Sequence, residues 1–284
     1  MSSADEALDP SSFQYPIRIL SDIHFGHPGC RVQGVQGLRP LLEGAGTAIF
    51  NGDTFEYKKL KMRPVIDQLR VDLEALCDEI GVRYVYVTGN HDSQLSANHY
   101  FDLEGGKVFL THGDLLYDDV SPWSQLIDSI HEERDLVRAE FPQHYLADLD
   151  LRLAAAKRIA FRSKVRKVGG RQGFIGRVRS VLWESWPPRR PVKILQTWAR
   201  SHHIAHTLRD QFRPDAEFMI IGHTHRALVH RAGGKYVINT GAFLPISKAY
   251  LVELGNDELR VVECTPRSGS CEFGREVARF ELRG

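Results

Sequence analysis

The sequence predicts an α/β protein of two sheets, one fed by helices and one meandering, with a helical insertion carried between them. Three observations predict it. Short β-rich runs each end at a polar or glycine-rich turn, a helical apolar period links the early ones, and a late group of runs includes two pairs joined by tight glycine turns.

The early runs are Ile17-Arg-Ile-Leu20, residues 47–50, Arg83-Tyr-Val-Tyr-Val87 and residues 107–110. Between them, apolar residues at 65, 66, 69, 73, 76 and 80 recur with the spacing of a helix, so this half predicts β-α-β units around a largely parallel sheet. Residues 121–212 keep helical spacing but are rich in basic and aromatic side chains. They are broken at Gly169-Gly170, Gly173, Gly176 and Pro187-Pro188, which predicts a helical cap at about 118–213 within a single domain spanning 1–284. Strand signals return at 217–221, 226–230, 235–239, 248–254 and 259–263, and a final strand is expected near Val277–Leu282. Turns at Gly233-Gly234 and Gly255-Asn256 favour antiparallel hairpins.

The charge is balanced only in total. The chain carries 37 Lys+Arg against 36 Asp+Glu, yet residues 151–200 hold 14 Lys+Arg and one acid, Glu184, leaving 23 Lys+Arg against 35 Asp+Glu elsewhere. A uniformly basic nucleic-acid coat and a disordered acidic chain are both excluded, and the basic segment calls for an anionic partner. Cys30, Cys77, Cys264 and Cys271 form no C-x-x-C pattern, as expected of reduced thiols. The polar, acidic start MSSADEALDPSSFQ lacks the features of a signal peptide, and no apolar run reaches the length of a membrane span. A cytoplasmic location is the expectation.

Five polar clusters follow predicted strands: Asp22-Ile-His24, Gly52-Asp53, Gly89-Asn90-His91-Asp92, His112-Gly-Asp114 and Gly222-His223-Thr-His225. Ligands of open α/β sheets bind at the C-terminal strand ends, so the five should converge on one rim. If the exits are extended, the i, i+2 spacing turns Asp22 and His24 to one side, and likewise His223 and His225. Carboxylate, imidazole and amide oxygen together suit a borderline divalent ion such as Mn, Fe or Zn. Any one cluster could be a simple turn; the ordered conjunction argues otherwise.

In that order the clusters resemble the signature D-x-H, G-D, G-N-H-[DE], H, G-H-x-H of the calcineurin-like metallophosphoesterase superfamily. The resemblance implies an αββα sandwich and two divalent metal ions, Mn2+ for preference with Fe or Zn possible. It assigns one ion to Asp22, His24, Asp53 and His225, and the other to Asp53, Asn90, His112 and His223 with Asp53 bridging. Hydrolysis would proceed by attack of a metal hydroxide on phosphorus. His91 would protonate the departing oxygen with Asp92 orienting or charging it, and Asp114 would be a supporting or turn residue.

Protein phosphatases of the superfamily read G-D-x-V-D-R-G and R-G-N-H-E, whereas this chain reads Gly52-Asp53-Thr-Phe-Glu56 and Thr88-Gly-Asn-His-Asp92. The Gly-Asp-x-Phe-Glu form, His-Gly-Asp after the fourth strand and the long insertion are similar to the UDP-2,3-diacylglucosamine diphosphatase branch. That branch implies a lipid-linked nucleotide substrate cleaved at its pyrophosphate, a role in lipid A synthesis and a peripheral place on the inner face of the membrane. It commonly has Arg where this chain has His91. The stretch Lys157–Lys164 is similar to the branch's basic helix beside the substrate phosphate, which makes Arg158, Arg162, Lys164, Arg166 and Lys167 candidate substrate-binding residues.

The basic segment also mixes Phe174, Ile175, Val178, Val181, Leu182, Trp183, Trp186 and Trp198 with Arg171, Arg177, Arg179, Arg189 and Arg190. Such a face can enter an acyl boundary while its cations meet anionic headgroups. Aromatic stacking on nucleic acid is the alternative, giving a nuclease or nucleotide phosphodiesterase. Clustered aliphatic residues favour the membrane. A non-catalytic metal-binding module is the third reading, and filled ligand positions argue against it.

Overall fold

The computed structural model describes residues 8–124, 126–163 and 189–282. Period-two alternation sorts its strand side chains into separate apolar layers. In β1 (Ile17–Leu20), β2 (Thr47–Asn51) and β3 (Arg83–Val87), residues Ile17, Ile19, Ile49, Val85 and Val87 face a central core. Leu20, Ala48, Phe50 and Tyr86 face the other way, onto Leu41 and Leu42 of the short α1 (Arg39–Leu42) and the buried Ile66, Leu73, Leu76 and Cys77 of α2 (Arg63–Glu79). Each fully buried aliphatic side chain of this kind contributes about 1.5–3 kcal/mol. The helix starts ahead of the expected Val65 because Pro64, which has no N–H to leave unpaired, fits its first turn.

Two sheets result. The six-stranded sheet has the order β11-β10-β9-β1-β2-β3, with β1, β2 and β3 parallel and β9 (Ala249–Leu254), β10 (Glu258–Arg267) and β11 (Ser270–Glu281) added antiparallel beside β1. The five-stranded sheet has the order β4-β5-β6-β8-β7, from β4 (Tyr100–Leu103), β5 (Val108–Thr111), β6 (Phe218–Ile221), β7 (Leu228–Ala232) and β8 (Lys235–Asn239). The expected division into an early, helix-fed sheet and a late, meandering one is therefore corrected. Strand β5 pairs in parallel with β6, and β6 with β8, while the late strands β9 to β11 complete the first sheet. Both expected hairpins form, β7 with β8 and β9 with β10.

The insertion also divides. In α5 (Arg189–Phe212), Ala205 and Leu208 pack with Met219, Ile221 and Val237, so this helix is the outer layer of the second sheet. Helices α3 (Ile127–Glu140) and α4 (Leu149–Arg162) instead pair through Ile130, Val137, Ala155, Ala156 and Ile159. The Asp148 carboxylate caps α4 by accepting the Leu151 N–H at 2.9 Å. Lys157 of α4 holds the helix to the strand rim, donating to Thr88 O at 2.5 Å and to Asp114 at 2.7 Å. Among the described residues no helix is long and apolar enough to cross a membrane.

Candidate metal centre and active site

Strands β1, β2, β3, β5 and β6 all run toward one rim, and the loops leaving them carry the five polar clusters. The way each pair is aimed differs from the extended exit expected. Asp22, His24, Asp53, His223 and His225 all have left-handed backbones, with φ of 51°, 56°, 51°, 66° and 56°. In place of extended geometry, these conformations fold both D-x-H and H-x-H back so that each pair faces the rim. A left-handed non-glycine residue is costly, and its concentration in one place marks a loop shaped for its side chains.

Three glycines explain how the loops come so close. A Cβ on Gly89 would overlap the Asp53 carboxylate, one on Gly222 the Asp22 carboxylate, and one on Gly52 the His112 ring. The glycines of the Gly-Asp, Gly-Asn-His and Gly-His-Thr-His runs are thus the spaces into which the neighbouring clusters fit.

Among the described residues three groups of donors result, two that share Asp53 at the centre and, at the edge, His24 with Glu56 and His91. Asp22, His24, Asp53 and His225 can each bring a donor atom within 4.8 Å of the others, and so can Asp53, His112 and His223. In the first group His24 Nε2 faces His225 Nε2 at 3.1 Å, and His225 Nε2 lies 3.2 Å from Asp22 Oδ1. In the second, His112 donates from Nδ1 to Asn51 O at 2.9 Å, and His223 donates from Nε2 to Val120 O at 2.7 Å. Those bonds leave His112 Nε2 and His223 Nδ1 turned inward, with His112 Nε2 3.5 Å from Asp53 Oδ2. The Asn90 amide lies 3.2 Å from Asp53 Oδ2, 2.9 Å from His223 Nδ1 and 3.2 Å from Lys58 Nζ. Turned oxygen-inward, it presents an acceptor to two further acceptors.

These donors fit divalent ions. His112 Nε2 is buried without a hydrogen-bond partner. Inward nitrogens and carboxylate oxygens about 3–4 Å apart match the spacing of ligands around a shared cation.

The same crowding shifts the titrations of the ion-free chain. Burial pushes the Asp53 carboxyl up, but His112 and His91 overcome it and hold it well below the ordinary range. Burial pulls His112 down, yet Asp53 and Asp22 raise it to about 10. His223 is held at about 4 by burial and by the His112 charge. The centre is thus pre-charged with carboxylates, and one of its imidazoles holds a proton that a metal ion would displace.

His91 stands at the edge of this centre, 27% exposed, and its Nδ1 lies 2.7 Å from Glu56 Oε1. The expected orienting role of Asp92 is corrected here. Buried Asp92 accepts N–H groups from Gly89 (2.7 Å), Asp53 (3.1 Å), Thr54 (2.8 Å) and Phe55 (3.3 Å), so its lone pairs are spent joining two loops. Glu56 carries the orienting role; burial pushes its carboxyl up, but His91 and His24 hold it well below the ordinary range. The sequence shows Glu56 within Gly-Asp-x-Phe-Glu without showing its partner.

A cavity of about 510 Å³ opens beside His91, with Tyr57, Lys58, Arg63, Leu95, Ala160 and Phe161 in its wall. The sequence reading did not single out Lys58 or Arg63. Of the expected substrate-binding residues, Arg158 pairs with Glu140 and lies over the Phe141 ring, and Arg162 is exposed at the end of α4. Neither lines the cavity. Lys164, Arg166 and Lys167 lie outside the described residues, as do Phe174, Ile175, Val178, Val181, Leu182, Trp183 and Trp186. Trp198 is corrected from the membrane-facing set: its Nε1 donates to Thr224 O at 2.7 Å, between His223 and His225. Asp114 is buried in its ion pair with Lys157.

A curated relative from Stenotrophomonas maltophilia (strain K279a), described as UDP-2,3-diacylglucosamine hydrolase, is 28% identical over 236 residues, 76% of this chain and 85% of its own. Among solved structures, Entamoeba histolytica Vps29 complexed with Zn2+ is 16% identical, covering 94% of this chain and 99% of its own with a TM-score of 0.43. A Danio rerio dimetal phosphatase is 12% identical over 95% and 99%, with a TM-score of 0.44. The model of the calcineurin-like phosphoesterase domain matches residues 15–227, which contain all five clusters; the chain belongs to that family and is a metal-dependent phosphoesterase.

Proposed function

We propose that the enzyme hydrolyses the pyrophosphate of a lipid-linked nucleotide of the UDP-diacylglucosamine type, using two divalent ions, Mn2+ for preference. Asp22, His24, Asp53 and His225 would hold one ion, and Asp53, Asn90, His112 and His223 the other. Bound there, the ions would supply an acidified water and offset the charge growing on the phosphoryl oxygens. The observation that carries the reading is the Glu56–His91 pair, set between the two central donor groups and the cavity. Glu56 fixes the ring through Nδ1, which leaves Nε2 to pass a proton to the oxygen that departs. The apolar part of the cavity wall, Leu95, Ala160 and Phe161, accommodates carbon rather than a protein surface. The relative's name and the Gly-Asp-x-Phe-Glu form support the lipid nucleotide as the substrate. Such a substrate would bring the enzyme to the inner face of the membrane, where the basic segment 151–200 would meet anionic headgroups.

The test is an assay of the manganese-loaded protein on UDP-2,3-diacylglucosamine in mixed micelles, with single-stranded DNA alongside. Release of UMP with DNA left intact is expected. Cleavage of DNA with no release of UMP contradicts the reading.

A further inference from the structure

We infer that Lys58 and Arg63 form a seat for the second phosphoryl group of the substrate, the one that leaves, and so select phosphoanhydrides over single-phosphorus diesters. The inference rests on the phosphoesterase centre described above and assigns two residues that the centre itself does not require.

The position of His91 sets the direction. It touches Glu56 on the side of the donor groups and also lines the cavity, so an oxygen departing toward this imidazole departs into the cavity. Lys58 and Arg63 stand in its wall, beside Arg70 and the acids Asp67 and Asp92. Among the described residues neither Lys58 nor Arg63 has a carboxylate in direct ion-pair contact, although against the burial that disfavours the Lys58 charge Asp53, Glu56, Asp114 and Asp92 attract it from farther off; nearby Arg70 lies 3.6 Å from Glu74, and Asp67 accepts the Tyr57 hydroxyl at 2.9 Å. The Asn90 amide lies 3.2 Å from Lys58 Nζ. That amide cannot serve twice: when its oxygen turns to the centre, its NH2 faces the lysine, and Lys58 is left to find an acceptor in the cavity. Arg63 stands on the same wall and can fork two phosphate oxygens.

The chemistry balances on this arrangement. A water oxygen forms a bond to one phosphorus as the bond from that phosphorus to the bridging oxygen breaks. The bridging oxygen takes the electron pair, builds up negative charge as it departs, and takes the proton of His91 Nε2 to leave as part of a phosphomonoester. Lys58 and Arg63 meet the charge as it builds; one proton of the attacking water is released to solvent, from which His91 is reprotonated. A single-phosphorus diester has no such group, and for it the seat is idle.

The experiment compares kcat/KM of manganese-loaded wild type, Lys58→Met, Lys58→Arg and Arg63→Ala on UDP-2,3-diacylglucosamine, on UDP-glucose and on bis-p-nitrophenyl phosphate. Each neutral variant should lower the ratio of diphosphate to aryl-diester turnover at least tenfold, with Lys58→Arg restoring most of it. Calorimetry on chelated protein should show glucose 1-phosphate binding at least tenfold weaker in Arg63→Ala than in wild type. An unchanged ratio in both neutral variants, or a wild type that cleaves the aryl diester and neither diphosphate, overturns the seat. A wild type that cleaves none of the three overturns the phosphoesterase centre on which it rests.

Discussion

Glu56 Oε1 lies 2.7 Å from His91 Nδ1, joining a buried carboxylate of the β2 loop to a partly exposed imidazole of the β3 loop. In the proposed reaction the pair leaves Nε2 as the ring nitrogen free to face the phosphorus. Its loss should be felt where the leaving oxygen is a poor one. Glu56→Gln and His91→Gln are each expected to lower kcat on an alkyl phosphodiester about 10²-fold or more, and to cost far less on p-nitrophenyl esters, whose leaving group needs no proton. Equal losses on both substrates would remove the general-acid role.

Asp92 answers to a different measurement. Four N–H groups of two loops converge on its buried carboxylate, so Asp92→Ala is expected to destabilise the chelated protein by about 2–4 kcal/mol, read by urea unfolding. His91→Gln, at the edge of the same loop, should leave unfolding within about 0.5 kcal/mol. An Asp92→Ala protein as stable as wild type would contradict the joining role.

Gly89→Ala tests the close approach of the loops. Its methyl group would occupy the place of the Asp53 carboxylate, which belongs to both central donor groups. Manganese affinity should fall by about 10–100-fold, measured by calorimetry, with the far-ultraviolet circular dichroism kept. Unaltered affinity would show that Asp53 can move aside.

These contrasts follow from what the sequence shows and what only the fold reveals. The D-x-H, Gly-Asp and Gly-His-Thr-His runs are legible because each packs several donors into a few residues after a hydrophobic strand. Glu56 is 35 residues from His91, and its partner is visible only once β2 and β3 lie side by side. Sequence adjacency points to Asp92 instead, whose carboxylate turns away to join its loop to the one after β2. Lys58 could not be told from Lys59 or Lys61 until the turn after Glu56 placed it in a cavity wall. Strand β4 escaped notice because four residues at a sheet edge carry little pattern, and β10 and β11 ran longer than expected because the outer part of their hairpin is polar and exposed.

A histidine cluster away from the centre gives the protein an acid limit. His202 and His206 on α5 pack against His230 of β7, with His206 Nε2 3.1 Å from His230 Nδ1. Burial, then Arg209 and His230, hold His206 at about 4; burial, then His230, His203 and Arg226, do the same for His202. Both folded values lie below the ordinary 6.5, so the stability these rings contribute is present above that pH and is lost as pH falls toward 4. Between pH 7 and 4.5 the Tm of wild type should fall about 2–4 °C more than that of His206→Gln. Parallel curves for the two proteins would contradict this assignment.

Asp53 is the residue on which the two-ion centre turns, since among the described residues it is the one shared by the Asp22–His24–His225 and His112–His223 groups. The decisive measurement is the metal content of Asp53→Asn by elemental analysis, taken with its turnover of a phosphodiester after manganese loading. About two ions per wild-type chain, fewer in the variant, and turnover lowered about 10³-fold or more are predicted. Wild-type turnover in Asp53→Asn, or in wild type stripped of metal by a chelator, would contradict the account.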